Sequence, residues 1–265
     1  MKVQAGKSYD LELDFEYLRS DAQLIFDLGF KKDVDIRKSV ERVKDADIVI
    51  FASGISPSLE GEEMGVNLPG FKTGARTDIE LPAVQRELID ALHRAGKKII
   101  LVNCSGSPIG LEPETQKCEA ILQAWYPGQQ GGTAVAEVLF GDYNPAGKLP
   151  VTFYRNVSQL PDFEDYNMAG RTYRYMQDVP LFPFGYGLSY TTFGYGKTVL
   201  DKNELTAGQS LKLTVPVTNT GKRNGEEVVQ VYLRKQGDAE GPIKTLRAFK
   251  RVSNRQERPP LRSLT

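Results

Sequence analysis

The spacing of apolar residues in the first half of the chain predicts a helix followed by a buried strand. Ile36, Val40 and Val43 recur at helical spacing, and residues 47–53 (DIVIFAS) form a short apolar run rich in β-branched side chains. A continuous apolar run of this length is typical of a strand buried on both faces. We therefore expect a helix–strand unit to begin near residue 34.

A second helix is predicted from an apolar face formed by Val84, Leu88, Ala91 and Leu92. Residues 77–80 (TDIE) have the spacing of a capping box, Pro82 suits a first helical turn, and Gly96 ends the pattern. The single histidine, His93, lies within this amphipathic pattern and is expected to be structural.

The elements that follow complete an alternating order of strands and helices. Residues 97–103 (KKIILVN) and 119–126 (EAILQAWY) are two further predicted strands, and residues 133–140 predict a short helix closed by Gly141. This order predicts an α/β fold with a mostly parallel sheet and helices on both faces. Such sheets bind ligands beyond the carboxyl ends of their strands. The loop after residues 47–53 is therefore the first place to look for a site.

The character of the sequence changes in the second half. Residues 144–196 are rich in Pro, Gly, Tyr and Phe without a sustained period, which predicts a long ordered connection held by aromatic side chains. Residues 210–221 then alternate apolar and polar positions, and residues 226–235 repeat the pattern after a turn. We expect a β-sandwich here, but an incomplete one, because only about 60 residues remain after Thr206, against about 100 for a full sandwich.

The two ends of the chain look different from the regions between them. Residues 8–17 and 22–30 alternate like two antiparallel strands that lack a domain of their own. The tail at residues 253–265 is polar, basic and interrupted by proline, so it is expected to be disordered or to come from a shifted reading frame.

Composition and charge narrow the classes of function. Hydrophobic residues make up 40% and charged residues 26% of the chain, as in soluble globular proteins. Lys and Arg together equal Asp and Glu at 34 each, so we expect neither nucleic acid nor a membrane as partner. No apolar run is long enough for a bilayer span, and the N-terminus lacks the apolar core of a signal peptide. Cys104 and Cys118 are expected to be free thiols or one incidental bridge, and one histidine makes a metal site improbable.

The densest acidic feature lies just after the first predicted strand and contains Glu60, Glu62 and Glu63. Carboxylates grouped in a loop suit general acid catalysis, because mutual repulsion and partial burial favour the protonated form of one of them. Acidic loops are more often solvated surface, so this spacing alone is a weak signal. No GxSxG elbow or glycine-rich phosphate motif occurs, and the serines of residues 104–110 (CSGSPIG) are interpreted as turn formers.

Four segments resemble the second domain and connector of family 3 glycoside hydrolases: residues 54–64, 70–85, 121–153 and 180–193. The third segment, ILQAWYPGQQGGTAVAEVLFGDYNPAGKLPVTF, is the most specific, and the likeness spans roughly residues 34–250. SPSLEGEEM is most similar to a bacterial β-xylosidase/β-glucosidase-like branch in which a PA14-type domain can precede this point. The resemblance implies five regions: a PA14-like tail (1–31), the α/β domain (32–155), an aromatic connector (156–200), a partial fibronectin type III-like domain (201–252) and the tail (253–265).

The family's activity is the basis for the expected function. Its members are retaining, exo-acting enzymes that release β-linked sugars, as β-xylosidases or β-glucosidases, through a covalent intermediate on an aspartate of an N-terminal (β/α)8 barrel. That barrel has no counterpart in this sequence, so the chain alone is expected to be inactive. The resemblance places the general acid/base at Glu60, with Glu62 as the alternative or as a neighbour that favours protonated Glu60, and Glu63 third.

The resemblance also implies partners and surroundings. It implies a β-linked oligosaccharide or glycoside substrate, the barrel as partner domain, no cofactor or metal, and a parent enzyme that is periplasmic or secreted. A non-catalytic module of the same descent that binds carbohydrate or a protein remains the alternative. A free-standing α/β sensor or nucleotide-binding domain is a weaker third, because no phosphate motif is present.

Some residues near the acidic loop are expected to have supporting roles. Arg76 and Asp78 resemble the family's "DR" step, although Ala75 occupies its first position, and they are expected to order the loop and cap the helix. Trp125 and Tyr126 are expected to pack in the interior and not to stack on a sugar. The aromatic residues between positions 182 and 190 are likewise expected to be structural.

Overall fold

The computed structural model describes residue 4 and residues 6–16, 33–60, 66–72, 75–254 and 263–264. The chain forms two compact units, residues 1–35 and residues 36–265. Among the described residues, no helix is both long and apolar enough to cross a bilayer.

The described part of the first unit contains no strand. Residues 6–16 run without helix or strand, and the alternating apolar side chains are exposed: Tyr9, Leu11, Leu13 and Phe15. The strand predicted for residues 8–17 is therefore not formed over its described residues. Alternation defines the two faces of a strand, but a stable strand also needs neighbours to pair with. The second predicted strand, residues 22–30, lies outside the described residues.

The α/β part of the second unit alternates helices and strands. Its elements are α1 (Ile36–Glu41), β1 (Ile48–Gly54), α2 (Pro57–Glu60), β2 (Asn67–Leu68), β3 (Phe71–Lys72), β4 (Ala75–Arg76), α3 (Ala83–Arg94), β5 (Lys98–Cys104), α4 (Glu112–Thr115), β6 (Ala120–Gln123) and α5 (Gly131–Phe140). Strands β1, β5 and β6 form a three-stranded parallel sheet in that order, and β2, β3 and β4 form a small antiparallel sheet. The predicted strands and the parallel sheet are confirmed.

The main core lies on one face of the parallel sheet. Val49 pairs with Ile99 and Phe51 pairs with Leu101, and all four side chains join the apolar cluster that α1 and α3 contribute to. The opposite face is covered only in part, because Ile48 and Ile50 on β1 are each 53% exposed. The prediction of a buried first strand was therefore wrong for these two positions.

Helix α3 begins later than the sequence indicated. The backbone N–H of Gly110 donates to the Ile79 carbonyl (2.8 Å), and Glu80 forms a bridge with Gly110, so this segment is extended. The capping box was therefore wrong: Pro82 occupies the N-cap position without a side-chain hydrogen bond, and the helix begins at Ala83. The tertiary bridge to the loop after β5 overrides the local capping signal.

The buried face of α3 is also rotated relative to the prediction. Ile89 and Leu92 are buried, whereas Val84 is 42% exposed. The end of the helix agrees with the prediction, since Gly96 has a left-handed backbone (φ 72°) and its N–H donates to the carbonyl of His93 (2.9 Å).

A buried ion pair lies on the side of α3 that faces the loop after β5. Nε of Arg86 lies 2.9 Å from Oε1 of Glu114, and its Nη2 lies 3.3 Å from Oε2. The side chain of Glu114 is 1% exposed. Arg86 also pairs with Glu80 and donates to the Gly110 carbonyl (2.7 Å).

The connector consists mainly of irregular backbone held by aromatic side chains. It contains a short 3₁₀ helix (Val157–Gln159) and α6 (Thr172–Tyr175). Phe153 is 1% exposed, and its ring contacts Trp125 and Phe182, while Phe182 stacks on Tyr186 with ring centroids 5.4 Å apart. The aromatic residues in this stretch are structural, as predicted.

The remaining residues form short antiparallel strands. They are β7 (Phe193–Tyr195), β8 (Val199–Leu200), β9 (Leu213–Thr214), β10 (Val217–Asn219), β11 (Gly225–Leu233), β12 (Thr245–Asn254) and β13 (Ser263–Leu264). They pair as β7 with β10, β11 with β12, and β9 with both β8 and β13. Pro216 lies between β9 and β10, where its missing N–H interrupts the single strand that alternation predicted.

The expected disordered tail was wrong in the positions that the structure describes. Ser253 and Asn254 belong to β12, and Ser263 and Leu264 pair with Thr214 and Leu213. Residues 255–262 lie outside the described residues.

Candidate active site

Three loops meet at the carboxyl edge of the parallel sheet. Glu60 ends the single turn of α2 after β1, Ser107 follows β5, and Tyr126 follows β6. Parallel strands end at the same edge, so residues far apart in the chain become neighbours there. The candidate site therefore includes the segment after the first strand, together with the loops after β5 and β6.

The carboxylate of Glu60 is held by two hydroxyl groups. The Ser107 hydroxyl donates to Oε1 of Glu60 at 2.6 Å, and the Tyr126 hydroxyl lies 2.6 Å from Oε2. The same Tyr126 hydroxyl lies 3.0 Å from the backbone carbonyl of Ile55. Glu60 is half-buried, so its carboxylate is both oriented by the protein and open to solvent.

Arg76 connects the hairpin β3–β4 to this group. Its Nη1 donates to the Ser107 hydroxyl (3.0 Å), and its Nε donates to the Asp78 carbonyl (3.0 Å). Burial lowers the pKa of Arg76, while the negative charges of Glu60 and Asp78 act in the opposite direction. Arg76 therefore places a positive charge near Glu60 and ties the loops together.

Two glycines allow the loops to approach so closely. Gly54 ends β1 with a left-handed backbone (φ 122°), and a Cβ there would lie 1.8 Å from the Cys104 carbonyl oxygen. A Cβ on Gly106 would lie 2.5 Å from the Tyr126 ring and 3.0 Å from Oε2 of Glu60. Glycine is therefore the residue that fits at both positions, because any Cβ would clash with these neighbours.

A buried polar network supports the loop after β5. Asn103 and Ser105 are fully buried, and Nδ2 of Asn103 donates to Ser105 (3.1 Å) and to Gln123 (2.7 Å). The Ser105 hydroxyl then donates to the backbone carbonyl of Ser107 (2.8 Å). This network fixes the backbone of the residue that contacts Glu60. Ser105 is a turn former as predicted, whereas Ser107 also belongs to the site.

The structure brings together only some of the residues that the sequence singled out. Glu60 is at the centre, and Arg76 donates to the Ser107 hydroxyl that contacts it. Asp78 caps no helix, because its Oδ1 instead accepts from the backbone N–H of Glu80 (3.0 Å). Glu62 and Glu63 lie outside the described residues.

The sequence did not indicate that Ser107 and Tyr126 contact Glu60. Trp125 packs against Phe153 as predicted, with ring centroids 6.1 Å apart, but Tyr126 reaches Glu60. Trp125 has a left-handed backbone (φ 57°), an uncommon conformation for a large residue that ends β6 and redirects the chain. The sequence signal that could have identified Ser107 and Tyr126 is their position just after the carboxyl ends of predicted strands.

The described residues contain no group of three or more His, Cys, Asp or Glu side chains that could hold a metal ion. Cys104 and Cys118 are free thiols. The chemistry that the site offers is proton transfer, since a half-buried carboxylate is surrounded by groups that donate or accept hydrogen bonds.

Comparison with known proteins agrees with this description. The glycosyl hydrolase family 3 C-terminal domain matches residues 4–190. A xylan 1,4-β-xylosidase from Xylanibacter ruminicola is 54% identical over 95% of this chain, and a periplasmic β-glucosidase from Salmonella typhimurium is 39% identical over 82%. The chain spans 29% of the length of each of these two relatives.

Solved structures show the same relationship. A β-glucosidase from Erythrobacter marinus matches 86% of this chain with a TM-score of 0.72 and 38% identity, and the chain covers 30% of that protein. A β-glucosidase from Listeria innocua matches 87% with a TM-score of 0.69 and 28% identity. The match over residues 4–190 spans most of the chain, which therefore belongs to the glycosyl hydrolase family 3 C-terminal domain family.

Proposed function

We propose that this chain supplies the general acid/base of a retaining, exo-acting β-glycosidase, and that Glu60 is that residue. The observation that carries the proposal is the placement of the Glu60 carboxylate at the carboxyl edge of the sheet, held by Ser107 and Tyr126 at 2.6 Å each. Hydroxyl partners orient a carboxylate and still permit it to gain and lose a proton. An acid that must also act as a base needs this freedom.

The nucleophile is proposed to come from a domain outside this chain. A retaining glycosidase needs a second carboxyl group about 5 Å from the first. The described side chains that hydrogen-bond to Glu60 are both hydroxyls. The chain spans about 30% of the lengths of its relatives, which leaves room for a (β/α)8 barrel that carries the aspartate.

The substrate class follows from the relatives. The relatives include a xylan 1,4-β-xylosidase and β-glucosidases, so we propose a β-linked xyloside or glucoside cleaved from its non-reducing end. The periplasmic relative supports a periplasmic or secreted parent enzyme. The antiparallel strands β7–β13 are proposed to be part of a fibronectin type III-like domain, and residues 1–31 to be the end of a PA14-like domain.

The test uses a polypeptide that joins this chain to a family 3 barrel. Glu60→Gln keeps the shape of the side chain but removes its proton transfer, so kcat on alkyl β-xylosides or β-glucosides should fall by roughly 10² to 10⁴-fold. Substrates with an activated aryl leaving group need little protonation, so the formation of their glycosyl-enzyme should be much less affected. A burst of released aryl alcohol measures that step.

The matched control is Glu119→Gln, which alters an exposed glutamate at the start of β6. This variant should leave kcat and the burst unchanged on both substrate classes. If Glu60→Gln slows the formation of the glycosyl-enzyme equally on the two substrate classes, or on neither, Glu60 is not the acid. That result would favour Glu62 or a non-catalytic binding module. The 265-residue chain without the barrel should release no product from either substrate.

A further inference from the structure

The hydroxyl of Tyr126 has one hydrogen and two acceptors within reach. Oε2 of Glu60 lies at 2.6 Å and the carbonyl oxygen of Ile55 at 3.0 Å. We propose that Tyr126 is a positioning residue that holds Glu60 in both of its protonation states by turning its hydroxyl between these two acceptors. This inference rests on the proposed acid/base role of Glu60.

The neighbouring hydrogen bonds determine which oxygen of Glu60 carries the proton. A guanidinium only donates, so Arg76 donates to the Ser107 hydroxyl (3.0 Å). Ser107 then has its single hydrogen free to donate to Oε1 of Glu60 (2.6 Å). Because Oε1 accepts from Ser107, the proton of a neutral Glu60 lies on Oε2, the oxygen that faces Tyr126.

Both protonation states of Glu60 then keep a hydrogen bond with Tyr126. When Glu60 is ionised, the Tyr126 hydroxyl donates to Oε2. When Glu60 is protonated, Oε2 donates to the Tyr126 oxygen, and the Tyr126 hydroxyl donates to the Ile55 carbonyl. The exchange turns one phenolic hydrogen and moves no heavy atom, so the hydrogen bond between Glu60 and Tyr126 is kept in both states.

The same exchange can accompany the catalytic steps. As the glycosidic bond breaks, the hydrogen of Oε2 leaves the Tyr126 oxygen and turns to the leaving oxygen. The Oε2–H bond then breaks, the proton joins the leaving oxygen, and the electron pair of that bond stays on the carboxylate. The hydroxyl of Tyr126 turns from Ile55 to this new anion. When water attacks the glycosyl-enzyme, its proton passes to Oε2 and the hydroxyl turns back.

The surroundings keep Tyr126 itself protonated. Partial burial and the hydrogen bond with Glu60 raise the pKa of Tyr126, whereas a backbone hydrogen bond from Gly106 and then the charge of Arg76 act in the opposite direction. Among the described residues, the groups that face Glu60 are Arg76 from β4, Ser107 from the loop after β5 and Tyr126 from the loop after β6, and Asp78 interacts with Arg76. Of these, only Tyr126 can both donate to Oε2 and accept from it.

The experiment is Tyr126→Phe in the polypeptide that carries the barrel, with kcat, KM and pH profiles measured on an alkyl glycoside. Loss of a hydrogen bond to a charged group should lower kcat by on the order of 10-fold, with KM little changed. Removing a donor to the ionised carboxylate favours the protonated acid, so the alkaline limb of the kcat profile should move to higher pH.

Two further variants separate this role from packing. Tyr190→Phe removes a hydroxyl that donates to the Val138 carbonyl (2.7 Å), so it should change neither kcat nor the pH profile. A 3-fluorotyrosine at position 126 is a stronger donor and a weaker acceptor, so it should move the alkaline limb to lower pH.

The outcomes distinguish this inference from the proposed function. If both Tyr126 variants leave the alkaline limb unmoved while Glu60→Gln still removes acid catalysis, the inference is overturned and the role of Glu60 stands. If Glu60→Gln leaves acid catalysis intact, the proposed function fails first, and the inference fails with it.

Discussion

Two acidic side chains in the α/β part are each held by partners from other segments, but the partners differ. Glu114 is 1% exposed and its carboxylate contacts the guanidinium of Arg86 through both oxygens. Glu60 is half-buried and is held by two hydroxyls, with Arg76 one hydrogen bond away. A direct cation stabilises the anion at a structural position, whereas hydroxyls orient a carboxylate and leave its protonation state free to change.

The largest expected loss of stability follows from removing the charge of Glu114. Glu114→Gln removes a buried partner of Arg86, which keeps its pair with Glu80, and the free energy of unfolding should fall by about 2 kcal/mol. Urea unfolding of this chain, with Glu119→Gln as the exposed control, measures the loss. Glu60→Gln should cost less than about 1 kcal/mol in the same experiment. Equal losses for the two variants would show that both carboxylates are structural.

Gly106→Ala tests the space beneath the site. The new methyl group would lie 2.5 Å from the Tyr126 ring, so the ring must move away from Glu60. In the polypeptide with the barrel we expect kcat to fall about 10-fold, with a stability loss of about 1 kcal/mol from overpacking. Gly128→Ala is the control, because a Cβ there meets nothing within 4 Å. Unchanged activity in Gly106→Ala would contradict the close packing of this loop.

The smallest expected effect concerns Cys118, a partly buried thiol that is influenced by the charge of Glu114. Burial, and secondly the charge of Glu114, raise the pKa of Cys118 to about 11. A raised thiol pKa means that the reactive thiolate is scarce, on the order of 10⁻³ of the molecules at pH 8. Alkylation of Cys118 by iodoacetamide, followed by mass spectrometry of its peptide, should be slow at pH 8 and rise about tenfold per pH unit. A rate at pH 8 equal to that of an exposed thiol would contradict this prediction.

The sequence predicted the elements whose signals are local. The apolar runs at residues 47–53 and 97–103 became β1 and β5, and Gly96 and Gly141 end their helices as expected. Local signals failed where tertiary contacts intervene. The bridge between Glu80 and Gly110 displaced the start of α3.

The site was only partly predictable for the same reason. Glu60 is a candidate because of its motif, but Ser107 and Tyr126 lie 47 and 66 residues further along the chain. Their contacts with Glu60 exist only because three parallel strands end together. No periodicity within a single segment encodes that convergence, although the position of each loop after a strand narrows the choice.

The pairing of β1 with β5 determines how Glu60 and Ser107 are placed relative to each other. Seven consecutive residue pairs, from Ile48 with Lys98 to Gly54 with Cys104, set how far along the sheet each strand ends. A slip of one residue would shift one loop by about 3.3 Å relative to the next. The donor–acceptor distance of a hydrogen bond varies by only about 0.5 Å. The strand register therefore sets whether Ser107 can reach Glu60.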